Sequence, residues 1–285
     1  AGIPGADPDG WYGLPALSST TPVRDKGMAV SVTPSTVERL IRCPLRWMVE
    51  RHGGADPAEL AAVTGILVHA LAEAAASGAD EAGLRAELDR AWDAVDAGAP
   101  WFSRRERARV HAMVETFLTW LRGSRDELTQ VAVEQDVTVD LPEHPDGPRV
   151  RLRGRIDRIE ADRAGRPVVV DIKTGKVPIS EADAKEHPQL ALYQLAAAHG
   201  AFQGLGLAAE PGGARLLYLA KRHRTTGAAE RAQAPLDDPD RWLDTVHAAA
   251  QASTGPDFVA RQTPDCARCP ARFSCPLHPS GRQVP

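Results

Sequence analysis

The sequence predicts an α/β fold in which a mixed sheet flanked by helices follows an N-terminal helical insertion. Three observations support this prediction. Apolar residues recur at helical spacing through the first 125 residues, and β-branched residues alternate from about residue 129. From about residue 182, helical and strand patterns alternate along the chain. Helices that precede a hairpin-rich sheet and then alternate with its strands are typical of a layered α/β domain.

The helical part occupies about residues 35–125. Thr33-Pro34 is a helix-start signal, and Val37, Leu40 and Ile41 after it have helical spacing. The predicted helices of this part span residues 35–50, 57–76, 81–95 and 104–121. Residues 1–30 are rich in Gly, Pro, Asp and Ser and lack periodicity, so we interpret them as a linker or arm before a domain over residues 31–285.

The sheet core is predicted over about residues 129–235, and a C-terminal helix and tail follow over about 238–278. The predicted strands cover residues 131–139, 150–159, 168–172, 215–220 and 229–234, and the predicted helices cover 182–198 and 239–252. Asp162-Arg-Ala-Gly165 has the residue types of a tight turn, so the second and third strands should form a hairpin.

Composition excludes several classes of protein. The chain has 285 residues, of which 43% are hydrophobic and 25% charged, values of a globular protein rather than a disordered one. No apolar run reaches the roughly 20 residues of a membrane span, and no signal peptide opens the sequence, so we expect a cytoplasmic protein. The net charge of −4 excludes a uniformly basic surface but not a local nucleic-acid groove.

The four cysteines are placed as a possible metal site. Cys266, Cys269 and Cys275 form a C-x2-C-x5-C pattern, and Cys43 lies more than two hundred residues upstream. Four thiolates can complete a tetrahedral zinc site or a [4Fe–4S] cluster, and we favour the cluster because zinc sites usually pair two C-x-x-C knuckles. Disulfides and unrelated buried thiols are the alternatives. A shared centre would join the N- and C-terminal segments.

Two aspartates and a lysine form the candidate catalytic set. Asp157 and Asp171 lie seven residues either side of Ala164, in the predicted turn, so a symmetric hairpin makes them cross-strand neighbours. Lys173, one of only five lysines, is on the same strand face as Asp171. Adjacent carboxylates suit Mg²⁺ or Mn²⁺, and a nearby ammonium suits phosphodiester hydrolysis. The plainer alternative is a surface hairpin with an Asp–Lys ion pair.

Three further side chains could join this set. His69 lies on a predicted helix, and its neutral imidazole could add a metal ligand. Gln189 and Tyr193 are four residues apart on one helical face, where both could bind a phosphate or a carboxylate. Each is unremarkable alone, because helical His and Tyr residues often serve packing. Glu134, on the strand before the hairpin, is a possible accessory acid.

The ordered set of motifs resembles the RecB-type branch of the PD-(D/E)XK nucleases over about residues 31–278. The motifs are G-x-x-x-H ending at His69, G-R-I-D ending at Asp157, D-I-K-T-G from Asp171, Q-x-x-x-Y from Gln189, and the bracketing cysteines. The iron–sulfur form occurs in AddB, in AdnA/AdnB helicase–nucleases and in some CRISPR-associated exonucleases. The Arg-rich composition and the Trp11-Tyr-Gly segment look most like the C-terminal nuclease domain of an actinobacterial AdnA or AdnB subunit.

The resemblance implies a role for each matched residue. His69, Asp157, Asp171 and the main-chain carbonyl of Ile172 would bind Mg²⁺ or Mn²⁺. Lys173 would be the catalytic lysine, and Gln189 and Tyr193 would support the site. The cysteines that would hold a [4Fe–4S] cluster are Cys43, Cys266, Cys269 and Cys275. The implied function is a DNA exonuclease or end-processing nuclease of double-strand break repair, working with a helicase motor that this chain lacks, since it has no G-x-x-x-x-G-K-[ST] motif.

Basic clusters are candidate DNA contacts, although charge runs are more often solvated faces. The candidates are Arg151, Arg153 and Arg155 on one strand face, Lys221 and Arg222 after a late strand, and Arg104, Arg105, Arg107 and Arg109 at a helix start. Three other functions stay open: a non-catalytic domain that binds DNA ends in a helicase complex, a stand-alone CRISPR-associated-type exonuclease, and a zinc-containing binding module.

Overall fold

The computed structural model describes residues 20–25, 27–53, 60–95, 97–145 and 147–278, which divide into two compact units. The terminal unit comprises the described residues of Ala1–Asp56, Asp140–Arg151 and Leu243–Pro285. The central unit comprises those of Pro57–Val139 and Leu152–Trp242. Most of the predicted arm, at residues 1–19, and the predicted helix start at 57–59 lie outside the described residues.

Eight helices and six strands are present in the described part of the chain. In order they are β1 (Val30–Val32), α1 (Pro34–Arg42), α2 (Pro44–His52), α3 (Leu60–Ala76), α4 (Glu81–Trp92), α5 (Pro100–Ser124), β2 (Thr129–Asp140), β3 (Val150–Ala161), β4 (Pro167–Lys173), α6 (Glu181–Lys185), α7 (Pro188–Ala198), β5 (Ala214–His223), β6 (Gly227–Gln233) and α8 (Pro239–Ala252). Short 3₁₀ turns also occur, two of them at Cys266–Arg268 and Pro270–Ser274.

The prediction of one helix over residues 35–50 is wrong, because the helix is interrupted at Cys43. Thr33 caps α1 as predicted, with its Oγ1 accepting from the Thr36 N–H at 3.1 Å. Pro44 then excludes the helical conformation from the residue before it, and Cys43 is extended (φ −164°, ψ 106°). Cys43 therefore ends α1 and begins α2, with its side chain placed between the two helices.

The helix predicted over residues 182–198 is also interrupted, for the same reason. Pro188 holds His187 in an extended conformation (φ −75°, ψ 115°), so α6 ends at Lys185 and α7 begins at Pro188. The other predicted helices and strands are observed with end shifts of a few residues, and α8 has the predicted bounds.

The sheet is mixed, as the sequence predicts. In the central unit β3 pairs antiparallel with β4, β4 parallel with β5, and β5 antiparallel with β6, while β2 lies along β3. In the terminal unit, the Val30 N–H of β1 donates to the Arg149 carbonyl at 2.8 Å. β4 is buried along nearly its whole length, as a central strand requires.

Both faces of the central sheet are covered by helices. Val168, Val170 and Ile172 of β4 pack into a core formed with residues of α3, α4 and α5. Val169, on the opposite face, packs into a second core with Leu190 and Tyr193 of α7. Strand alternation puts Asp171 on this second face, where it is buried. None of the described helices is long and apolar enough to cross a membrane.

A buried ion pair lies in β3, and its removal should destabilise the domain. Arg158 Nε donates to Glu160 Oε1, and the two side chains are at most 1% exposed. Glu160→Ala is expected to lower the free energy of unfolding by about 3 kcal/mol, because it leaves the Arg158 charge buried. Urea denaturation measures this change. Glu81→Ala removes an exposed i,i+4 partner of Arg85 and should cost less than about 1 kcal/mol, so equal losses in the two variants would contradict the prediction.

Candidate metal and catalytic centre

The β3–β4 hairpin brings Asp157 and Asp171 together as predicted. The paired residues run from Ala161↔Pro167 to Arg158↔Val170, so Asp157 and Asp171 are the next opposed positions. There the ladder opens, and Asp157 Oδ2 accepts the Ile172 N–H at 2.6 Å. A carboxylate thus replaces a backbone acceptor, which fixes the Asp157 side chain against β4.

Asp171, Lys173 and Gln189 form a closed set of polar contacts. Lys173 Nζ lies 2.7 Å from Asp171 Oδ2 and donates to Gln189 Oε1 at 3.1 Å. Gln189 Nε2 donates to Asp171 Oδ1 at 2.6 Å. The Gln189 amide therefore contacts both members of the Asp–Lys pair: its oxygen accepts from the ammonium, and its nitrogen donates to the carboxylate.

Burial dominates the electrostatics of Asp171. It raises the pKa of this carboxyl to about 6, an effect that the Lys173 ammonium opposes and the negative charge of Asp157 adds to. A divalent cation beside Asp171 would act with Lys173, since it too favours the ionised carboxylate.

His69, Glu134 and Asp157 form a group that could hold a metal ion. Their ligand atoms all lie within 4.8 Å of one another. His69 Nδ1 is 3.4 Å from Asp157 Oδ1 and 3.6 Å from Glu134 Oε1. Burial of His69 disfavours its protonated form, but its hydrogen bond to Asp157 and the charge of Glu134 outweigh burial and raise its pKa. Two carboxylates and an imidazole around one point suit a divalent cation such as Mg²⁺ or Mn²⁺.

Glu134 is the member of this group that the sequence indicated least. Its only sequence signal is its position on the strand face opposite to Val131 and Val133. Its backbone has φ +46°, in the left-handed region that costs a residue with a side chain about 1 kcal/mol or more. The second oxygen, Oε2, accepts from Arg155 Nε at 2.7 Å, which orients the carboxylate with Oε1 toward His69.

Tyr193 lies one helical turn after Gln189 on α7 and contacts the hairpin. Its hydroxyl donates to the main-chain carbonyl of Arg155 at 3.1 Å, two residues before Asp157. Burial, reinforced by the charge of Asp171, raises the pKa of Tyr193 well above its ordinary value, so the phenol stays protonated. Tyr193 therefore ties β3 to α7 rather than projecting into solvent.

The four cysteines line one cavity of about 310 Å³ in the terminal unit, and all four are free thiols. Cys43 Sγ accepts from the N–H groups of Arg46 and Arg261 at 3.5 and 3.4 Å. Cys266 Sγ accepts from the Thr263 N–H at 3.2 Å, and the hydrogen bonds from Thr263 lower the pKa of this thiol. Backbone donors aimed at sulfur stabilise thiolates, the form in which cysteine binds metal.

Six of the arginines that the sequence predicts as DNA contacts are ion-paired within the protein. Arg151 Nε lies 2.7 Å from Asp140, Arg155 Nε 2.7 Å from Glu134, and Arg222 Nη2 2.6 Å from Glu115. At the start of α5, Arg105 and Arg109 pair with Glu106, and Arg107 pairs with Asp89. Arg153 and Lys221 are exposed. Of these ion pairs, the one between Arg155 and Glu134 lies at the candidate centre.

The comparisons with known proteins identify the family. The family model described as the PD-(D/E)XK nuclease superfamily matches residues 31–276, most of the chain. The chain belongs to the PD-(D/E)XK nuclease superfamily. Membership of this superfamily implies a metal-dependent nuclease that hydrolyses phosphodiester bonds. The described fold, a mixed sheet flanked by helices, agrees with the superfamily fold.

Comparisons with solved structures and with curated proteins do not narrow the family further. Among solved structures, the chain is similar to the crystal structure of SSO0001, with 16% sequence identity and a TM-score of 0.41 over 88% of each chain. No curated protein matches this PD-(D/E)XK sequence.

Proposed function

We propose that this chain is a Mg²⁺- or Mn²⁺-dependent DNA exonuclease or end-processing nuclease of the RecB type. It would act in the cytoplasm as the nuclease module of a helicase–nuclease in double-strand break repair by homologous recombination, and the helicase motor would belong to the same polypeptide or a partner subunit. One observation supports this most strongly. The Asp171–Lys173–Gln189 set lies beside the His69–Glu134–Asp157 group, so a cation site and a held ammonium share one centre.

In this proposal His69, Asp157, Asp171 and the Ile172 carbonyl bind the metal, and Glu134 is an additional ligand. The bound metal would supply a water of lowered pKa and offset negative charge on the phosphate. The protein contributes a preformed geometry. Asp157 is fixed by the Ile172 N–H, so its second oxygen faces His69 without reorganisation.

Lys173 is proposed to orient the attacking water and to offset charge that develops on phosphorus. Its ammonium is held by Gln189 Oε1 and Asp171 Oδ2, which limits the positions that it can occupy. Gln189 and Tyr193 support the site from α7, Gln189 through the Asp–Lys pair and Tyr193 through β3. Neither side chain needs to contact the phosphate for this role.

The four cysteines are proposed to bind a [4Fe–4S] cluster. All four cysteines line one cavity of about 310 Å³, and their spacing, a C-x2-C-x5-C pattern with one distant cysteine, differs from the two paired C-x-x-C knuckles usual for zinc. Arg46, Arg261 and Arg272 also line the cavity, where their charges would offset those of four thiolates.

The exposed basic side chains are proposed as phosphate contacts of secondary importance. Arg153 and Lys221 could contact DNA directly. Arg151, Arg155 and Arg222 would first have to leave or share their carboxylate partners, so each should contribute less.

Anaerobic purification, metal analysis and a cleavage assay on end-labelled linear DNA test the proposal together. We expect about four iron atoms per chain, absorbance near 400 nm, and DNA degradation only with Mg²⁺ or Mn²⁺. Zinc in place of iron would overturn the cluster but not the nuclease. Salt-sensitive DNA binding without cleavage under any divalent metal would overturn the nuclease and favour a domain that only binds DNA ends.

Glu134→Gln provides a sharper test of the metal site. Loss of one ligand charge is expected to raise the Mn²⁺ concentration for half-maximal cleavage by about 10- to 100-fold, with a smaller effect at saturating Mn²⁺. Metal titration of the cleavage rate measures this change. Glu210→Gln, which alters an exposed glutamate beside Arg166, is the matched control. An unchanged Mn²⁺ requirement in Glu134→Gln would remove Glu134 from the ligand set.

A further inference from the structure

The first turns of α5 carry an exposed and a half-buried aromatic ring beneath an arginine. Trp101 is 62% exposed and its ring packs edge-to-face with Phe102, with centroids 5.7 Å apart. The guanidinium carbon of Arg105 lies 5.8 Å from the Trp101 centroid and 5.1 Å from the Phe102 centroid. The Arg105 side chain is itself 61% exposed. These three residues are called the α5 platform below.

Exposure of Trp101 is exceptional within the described part of the central unit. Trp92 and Trp120 are buried, and their indole N–H groups donate to Ser103 Oγ and Glu230 Oε1. Leaving a large ring in water forgoes the free energy of burying it, on the order of 2 kcal/mol. A surface that exposes such a ring together with a cation suits a ligand with flat faces and negative charge.

Glu106 follows Arg105 on α5 and is buried. Burial raises its pKa, but hydrogen bonds from Arg109 and Arg105 and the charge of Lys176, in the loop after Lys173, outweigh burial and lower it. Helix α3 reaches the same loop, since a Cβ added at Gly65 would lie 3.7 Å from Thr174 Oγ1.

Three large hydrophobic side chains are exposed among the described residues of the central unit: Ile66, Trp101 and Val177. Ile66 precedes His69 by one helical turn and Val177 follows Lys173 by four residues. Exposed large apolar side chains can mark interaction sites, and of these three only Trp101 has an arginine over its ring.

We propose that Trp101, Phe102 and Arg105 bind the bases of a single DNA strand. Bases stack on aromatic rings and on guanidinium planes, and nearby exposed cations, Arg104 and Lys176, attract the phosphates. In a duplex the base faces are already stacked on one another, so only an unpaired strand offers them. The inference rests on the proposed nuclease function and adds a base-stacking site on α5 to it.

Binding of a 20-nucleotide oligothymidylate, without added divalent metal, tests the platform. Trp101→Ala is expected to raise the Kd about tenfold, since stacking contributes roughly 1–3 kcal/mol per base, whereas Trp101→Phe should change it less than about threefold. The same strand with abasic sites at every position keeps the phosphates, and there Trp101→Ala should have no effect. Blunt duplex DNA should also bind both proteins equally.

Arg105→Ala should weaken binding of the oligothymidylate and reduce its salt dependence by about one phosphate contact. Arg122→Ala removes the same charge from the exposed far end of α5 and should change neither quantity. Hydrolysis of bis(p-nitrophenyl) phosphate, which offers no base to stack, should be equal in wild type and Trp101→Ala.

Two results would overturn the platform: an unchanged Kd for oligothymidylate in Trp101→Ala, or an equal loss on the abasic strand. The second would mean that Trp101 acts through phosphates or local structure. A wild type that binds through Trp101 but cleaves neither DNA nor the small phosphodiester would support the platform and overturn the proposed nuclease. The two hypotheses thus fail separately.

Discussion

Lys173→Ala is expected to lower the rate of DNA cleavage about 10³-fold while leaving the fold intact. The ammonium is the positively charged group of the Asp171–Lys173–Gln189 set, so it is the member that can offset negative charge on a phosphate oxygen. Loss of one preorganised donor in a sheltered site typically costs 10²–10³-fold in rate. Single-turnover cleavage of end-labelled DNA at saturating Mn²⁺ measures the effect on the chemical step.

Two companion variants make this result interpretable. Lys185→Ala removes an exposed lysine from α6 and should cleave at the wild-type rate. Asp171→Asn keeps the shape of the buried side chain and its contact with Gln189, so it should fold but lose cleavage, because the metal loses a charged ligand. Wild-type rates in either Lys173→Ala or Asp171→Asn would show that this set is structural and not catalytic.

Cys266→Ser is expected to abolish the absorbance near 400 nm and to lower the melting temperature by on the order of 10 °C. A centre bound by Cys43 and the C-terminal cysteines closes a loop of more than two hundred residues, a constraint worth about 5 kcal/mol in the chain-entropy model. Iron analysis and thermal unfolding under anaerobic conditions measure the two effects.

Ala267→Ser is the matched control, because it introduces the same hydroxyl in the exposed turn between Cys266 and Cys269 without removing a sulfur. It should keep both the iron and the melting temperature. If Cys266→Ser loses iron yet unfolds at the wild-type temperature, the cluster does not constrain the chain ends. If the wild type has no iron, the cysteines serve another purpose.

The sequence predicted those features that depend on local pattern. The turn at Asp162–Gly165 determines the register of the hairpin, so the proximity of Asp157 and Asp171 followed from counting residues on either side of it. Alternation then placed Lys173 beside Asp171. Both predictions required only that side chains alternate between the two faces of a strand and that the turn lie midway between the two aspartates.

The two interrupted helices show how local pattern misled the prediction. The apolar spacing of residues 35–50 continues through Cys43, and periodicity outweighed the known effect of Pro44 on its predecessor. The same happened at Pro188. In both cases the proline, and not the apolar pattern around it, determines where the helix is interrupted.

The features that the sequence did not indicate depend on contacts between residues that are distant in the chain. Glu134 lies 23 residues before Asp157 and belongs to no sequence motif. Its side chain reaches His69 because β2 pairs along β3 and because the Glu134 backbone is in the left-handed region. Likewise, no sequence pattern distinguishes the exposed Trp101 from the buried Trp92. Features that depend on which elements meet in space are not encoded in the spacing of nearby residues.

The turn between β3 and β4 limits how this protein can diverge in length. Asp162 Oδ1 accepts the N–H groups of Ala164 and Arg166 at 2.9 Å each, and Gly165 has φ +75°, so the turn is tightly specified. An insertion or deletion that shifted the pairing by one position would turn Asp157 or Asp171 to the opposite sheet face. The five residues between the two strands, 162–166, therefore decide whether the two aspartates can face each other.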